Sequence, residues 1–124
     1  MRAVKGNVSR HRELVSAAIS FLVPCAIIVV ASIPLILKIV PPNRLYGFRT
    51  RQTLANRELW FRANSFAGWA FLVAAVASAS VFVAAPGYAS GRSALGLVIF
   101  LVPLVIALAV SLAYLRRVSG SGQR

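Results

Sequence analysis

Three stretches without a single charged residue, Leu14 to Leu37, Ala63 to Gly91 and Ser93 to Leu115, constrain this chain more than any other feature. About 20 apolar residues cross about 30 Å of hydrocarbon at about 1.5 Å per residue, and the first and third stretches exceed that length. Pro86-Gly87 breaks the second, so its helix is expected to end near Ala85. Pattern and length therefore predict an all-α membrane protein, a bundle of three transmembrane helices over 14–37, 63–85 and 93–115. A structured basic loop over 38–62 joins the first two, and 119–124 reads as a flexible tail. The whole of 1–124 forms one membrane domain.

Composition decides what such a bundle can do. The chain has 14 Lys and Arg against 2 acids, a net charge of +12, in a sequence that is 59% hydrophobic. A disordered basic tail would lack the Leu, Ile, Val and Phe found here. A soluble nucleic-acid binder would line a groove with its cations, whereas these sit at the ends of uncharged runs, so no direct nucleic-acid partner is expected. The only carboxylates are Glu13 and Glu58, beside one His (His11) and one Cys (Cys25). Paired-carboxylate hydrolysis, a Ser/His/Asp triad and a metal centre each need more such groups, so neither an enzyme, a metal site nor a cofactor is expected. Cys25 reads as a small buried hydrophobe and His11 as a solvated residue.

A basic lead before the first span raises the alternative of a cleaved signal peptide. Its apolar run is longer than a secretory core and no small-residue cleavage site closes it. Pro24 and Pro34 are expected to kink this helix, with Ser20 or Ser32 taking up the carbonyls they free. Three crossings leave Arg2, Lys5, Arg10, Arg12 and Arg92 on one side. Lys38, Arg44, Arg49, Arg51, Arg57, Arg62, Arg116, Arg117 and Arg124 fall on the other. The positive-inside rule then places the N-terminus outside, and the first loop and C-terminus in the cytoplasm, of a bacterial inner membrane.

The loop holds most of the polar information. Pro41-Pro42 is expected to stop the first helix. Asn43, Gly47 and Thr50 are turn-forming residues around Tyr46-Gly47-Phe48, with Tyr46 as an interfacial anchor. Thr53 makes a suitable N-cap for a helix that starts near Leu54 and continues into the second span, with Glu58 and Arg62 as an i,i+4 pair. Along that helix Asn56, Trp60, Asn64 and Gly68 recur at steps of four and form a winding stripe. A lipid-facing Asn64 would leave its amide unsatisfied, so it is expected to face the first or third helix, with Trp60 as anchor or packing residue. Ala70, Ala74 and Ser78, with Ala75 and Ala79 beside them, offer small-xxx-small spacing that suits a central helix.

The run Asn43-Arg44-Leu45-Tyr46-Gly47-Phe48-Arg49-Thr50, followed by Thr53, Asn56, Trp60, Asn64 and Gly68, resembles the signature of the SdpI family of bacterial membrane proteins. Many relatives carry Pro where this chain has Arg51 and His where it has Asn64. Longer relatives have further helices ahead of the signature. The resemblance implies an immunity or signalling type of membrane protein, binding an antimicrobial peptide or a cytoplasmic regulator at the bilayer through this loop and the second helix. Arg44, Arg49 and Arg51 then have two readings. One is attraction to anionic lipid headgroups, worth about 1 kcal/mol per cation, and the other is docking of a phosphate or an acidic partner by a bidentate fork. A small oligomeric transporter or channel subunit is the alternative, weakened by the lack of charged residues within the spans.

Overall fold

The structure is a computed structural model that describes residues 2–90 and 94–121. Its elements are α1 (Arg2–Ile36), a short α2 (Arg51–Ala55), α3 (Arg57–Ala84), a 3-10 turn (Pro86–Ala89) and α4 (Leu95–Gly120). All three long helices have the length and apolarity to cross a membrane. α3 is the central one. Both α1 and α4 pack along it, and the expected three-helix bundle is the observed architecture.

Helix boundaries depart from the boundaries of the uncharged runs. α1 begins at Arg2 rather than Leu14, and its 35 residues extend about 52 Å. Roughly 18 Å of it, carrying Lys5, Arg10 and Arg12, therefore precedes the uncharged segment. Charge marks where a helix leaves the lipid, while backbone propensity decides where it ends, and Arg, Lys and Glu are good helix formers. α4 likewise runs on through Arg116 and Arg117 to Gly120, so Ser119 and Gly120 belong to the helix rather than to a tail. The expected start at Ser93 and the last residues of the tail lie outside the described residues.

Small side chains line most of the helix contacts, with Trp60 and Phe82 the largest buried exceptions, and large aliphatic ones face outward. Ala63, Ala67, Gly68, Ala74, Ala75 and Ser78 of α3 are buried, while Val23, Val30, Val73, Val105 and Ile106 are exposed. Lipid solvates large aliphatic groups as well as a protein core does, so close backbone approach is what small interface residues supply. Of the expected small-residue rows, Ala74, Ala75 and Ser78 are buried, whereas Ala70 and Ala79 are half-buried. A Cβ at Gly68 would meet Ile36 Cγ1 at 2.9 Å and the Ser32 carbonyl at 3.1 Å, so this glycine lets α1 close on α3.

Proline carbonyls are handled differently from the expectation. Pro24 and Pro34 free the carbonyls of Ser20 and Val30 in α1. The Ser20 hydroxyl donates instead to Ser16 O and that of Ser32 to Ile28 O, each one turn back on its own helix. Pro103 frees the carbonyl of Ile99, and here a neighbouring helix responds: Ser78 Oγ of α3 donates to Ile99 O at 3.1 Å.

Candidate functional site: the loop between α1 and α3

Residues 37–50 turn back against the bundle, held by side chains rather than by regular secondary structure, and lead into the short α2. α1 ends before the two prolines. Lys38 adopts a left-handed conformation (φ 57°), with Lys38 N–H donating to Leu35 O and Ile39 N–H to Pro34 O. This is a Schellman closure with lysine in the place usually taken by glycine, so the prolines follow a stop already made. Asn43 organises the next turn. Its Oδ1 accepts from the N–H groups of Leu45 (2.9 Å) and Tyr46 (2.8 Å), and its Nδ2 donates to Pro41 O at 2.8 Å.

Gly47 has φ 96° and lies against Asn64; a Cβ there would come within 2.5 Å of Asn64 Oδ1. Glycine is required at this position both for its dihedral and for its size. The next residue shows why the approach is so close: Phe48 N–H donates to Asn64 Oδ1 at 2.5 Å, while Asn64 Nδ2 donates to Trp60 O at 3.0 Å. Asn64 does sit on the α1 side of α3, yet its oxygen serves the loop backbone rather than another helix. Trp60 is fully buried, and its Nε1–H donates to Val40 O at 2.9 Å. It is a packing and fastening residue, since an interfacial anchor would expose part of its ring. Ser65 Oγ adds a long contact to Ile36 O at 3.4 Å.

Thr50 and Thr53 close the far side of the loop. Thr50 is the N-cap of α2, accepting from Thr53 N–H, while the Thr53 hydroxyl meets Thr50 N–H in return. Thr53 Oγ1 also donates to Phe48 O at 2.8 Å and is completely buried. The expected N-cap role of Thr53 is therefore corrected: it fastens the loop, and the long helix starts after a break at Asn56. Asn56 caps α3 by accepting from Glu58 N–H and Leu59 N–H. A second cap explains the break, because an extended Asn56 (φ -132°, ψ 112°) cannot continue α2 into α3.

The stripe predicted by spacing is thus met in three of its four members. Trp60, Asn64 and Gly68 are buried toward α1 and the loop, and Asn56 is exposed at the helix start. Tyr46 is half-buried, and its hydroxyl is buried with no hydrogen-bond partner among the described residues, unlike an anchor that offers its oxygen to headgroups. Burial pushes its phenol above the ordinary range.

The cations remain outside. Arg44, Arg49 and Arg51 are exposed, and the Arg49 guanidinium donates to Arg44 O, bracing the 44–49 turn. Glu58 and Arg62 approach to 3.9 Å in the expected pair, too exposed to add much stability. Cys25 is buried and His11 exposed, and no group of three His, Cys, Asp or Glu gathers to hold a metal among the described residues.

Spacing had no means of showing the Arg49 brace, the Lys38 turn or the carbonyl of Val40 as a partner. The N-cap at Thr50 did have a signal, since its hydroxyl stands three residues before Thr53, the reciprocal geometry of a capping box.

No curated protein and no solved structure matches this chain. The model of the SdpI/YfhL protein family matches residues 39–115, which takes in the loop, α2, α3 and most of α4. That span covers more than half of the sequence and includes every residue of the loop network described above except those ending α1. The chain is a multi-pass membrane protein of the SdpI/YfhL family.

Proposed function

We propose that the protein is an immunity or signalling type of membrane protein that binds a peptide or protein partner at the bilayer through the loop and the start of α3. The observation that carries this reading is the contrast between a fixed backbone and exposed cations. Buried Thr53, Trp60 and Asn64 hold the loop from three sides, while Arg44, Arg49 and Arg51 stand open on it. Positive-inside topology needs cations near a span and places no demand on such a scaffold. Guanidinium groups carried on a fixed backbone lose less entropy on meeting an acidic or phosphorylated partner than those on a mobile loop.

The proposal includes a non-catalytic role. Glu13 lies toward the start of α1 and Glu58 in the first turn of α3, at opposite ends of the bundle, so the two carboxylates cannot act together. It also includes an orientation with the loop and C-terminus in the cytoplasm. Single cysteines in place of Arg49 and Arg117 are expected to resist a membrane-impermeant reagent added to intact cells, and labelling of both from outside would reverse the orientation.

The functional test is protection. Cells expressing the wild-type chain are expected to survive membrane-active killing peptides that kill control cells, and Arg49→Ala to lose that protection at equal expression. Absence of protection and of any protein crosslinked to the loop would defeat the reading. Solute flux in proteoliposomes would favour a transport subunit instead.

A further inference from the structure

Leu45 is the most open large hydrophobic side chain described in the protein, at 91% exposure, on a loop whose backbone is otherwise held down. Leu37 and Ile39, in the link that leaves α1, are 60% and 66% exposed. In water such an arrangement would be costly, so the level of these residues relative to the bilayer decides their meaning. The hydrogen bond from Phe48 N–H to Asn64 puts the loop beside Asn64, which follows Ala63 at the start of α3's uncharged run. Gly47 lies against Leu35, in the last uncharged turn of α1. The tip is therefore at the height where both helices enter hydrocarbon. Leu45, two residues from Gly47, is within about 7 Å of that height.

Two further observations choose the occupant. Leu37 and Ile39 follow directly from the outward face of α1, where Ile33 and Val30 are exposed to lipid, so the open apolar surface continues one already turned to the membrane. Lys38 lies between them and Arg44 precedes Leu45; both are exposed, and no Asp or Glu occurs between Glu13 and Glu58. Apolar side chains interleaved with unopposed cations complement an anionic headgroup layer over acyl chains.

We propose that Leu45, with Leu37 and Ile39, inserts at the boundary between headgroups and acyl chains, while Lys38 and Arg44 bind lipid phosphates, so that the loop is an anionic-lipid contact. This assigns Arg44 to lipid and leaves Arg49, Arg51 and the α2 side of the loop to the partner reading, whose Arg49→Ala test is separate from the one below.

The test uses the full chain in a Cys25→Ala background, with an environment-sensitive fluorophore on Leu45→Cys, on Ile39→Cys as a second position, and on Gln52→Cys as the water-facing reference. The protein is reconstituted in phosphatidylcholine vesicles with and without phosphatidylglycerol. Labels at 45 and 39 are expected to emit to the blue of the label at 52 and to be quenched by lipids spin-labelled near the carbonyl. Spin-labelled phosphatidylglycerol is expected to quench more than spin-labelled phosphatidylcholine, with Arg44→Gln reducing that preference about fivefold. Water-like emission at both 45 and 39 would overturn the proposal. Shielding without quenching by lipid would overturn it too, by placing protein, a second copy or another partner, over the tip. Equal quenching by the two lipids would overturn the anionic preference.

Discussion

The two ends of the bundle solve the same problem, joining antiparallel helices, in opposite ways. Between α3 and α4 the link begins with a 3-10 turn at Pro86–Ala89, and the helices there are held by rings and small residues. Phe21 stacks on Phe82 at 4.6 Å and tilts against Phe100 at 5.9 Å, while Gly96 lets α4 approach so closely that a Cβ would come within 2.7 Å of Tyr88 O. Between α1 and α3 the chain spends a much longer segment and fastens it with Asn43, Thr50, Thr53, Trp60 and Asn64, each bonded to backbone. A connection alone needs only the first solution. The second maintains a specific loop conformation through buried polar groups bonded to its backbone.

That contrast can be broken by substitution, and the largest effect is expected from Trp60→Ala. Loss of a fully buried indole and of its bond to Val40 O is expected to cost about 3–5 kcal/mol in detergent unfolding. Tryptic cleavage at Arg44, Arg49 and Arg51 should rise with it. Equal cleavage in variant and wild type would mean that the loop does not depend on this anchor.

Gly47→Ala follows at about 2–3 kcal/mol, the sum of a left-handed alanine and a lost Phe48–Asn64 bond. Its effect should be confined to the loop, so proteolysis is expected to change more than the midpoint of bundle unfolding. A change in bundle unfolding without new cleavage would show that the two ends are one cooperative unit.

Phe21→Leu tests the other end. It is expected to lower bundle stability by about 1 kcal/mol through the lost stack and to leave loop cleavage and any protection by the protein unchanged. Loss of protection here would end the assignment of function to the loop.

The smallest effect belongs to Tyr46→Phe, which at neutral pH should be close to neutral because the hydroxyl has no partner to lose. The phenol is raised in the folded state, so its stabilising contribution is complete below the ordinary tyrosine value and is lost as pH rises through the higher folded value. Loop cleavage by an alkaline-tolerant protease should therefore increase above about pH 10 in the wild type and less so in Tyr46→Phe.

Legibility in the sequence followed the range of each interaction. Asn43 was readable because a short amide bonds to N–H groups two or three residues away, and that distance is written in the chain. The buried stripe was readable as a period of about four. The break at Asn56 was missed because Thr53 and Asn56 are both good caps, and the choice between them turned on Phe48 O, which binds the Thr53 hydroxyl. The start of α1 was misplaced for a different reason, since charge reports the solvent of a helix rather than its end.

The sequence by itself determined three spans, the end of the bundle that carries most of the cations, and the loop that bears the family signature. These depend on composition and period, which any packing of the helices would preserve. Tertiary structure alone decided that Asn64 bonds Phe48, that Trp60 reaches Val40, that Ser78 answers the carbonyl freed by Pro103, and that Leu45 stays exposed on the loop. A polar side chain bonds to whichever group the fold brings within about 3 Å, and for partners 16 to 21 residues apart that is settled only when the helices close.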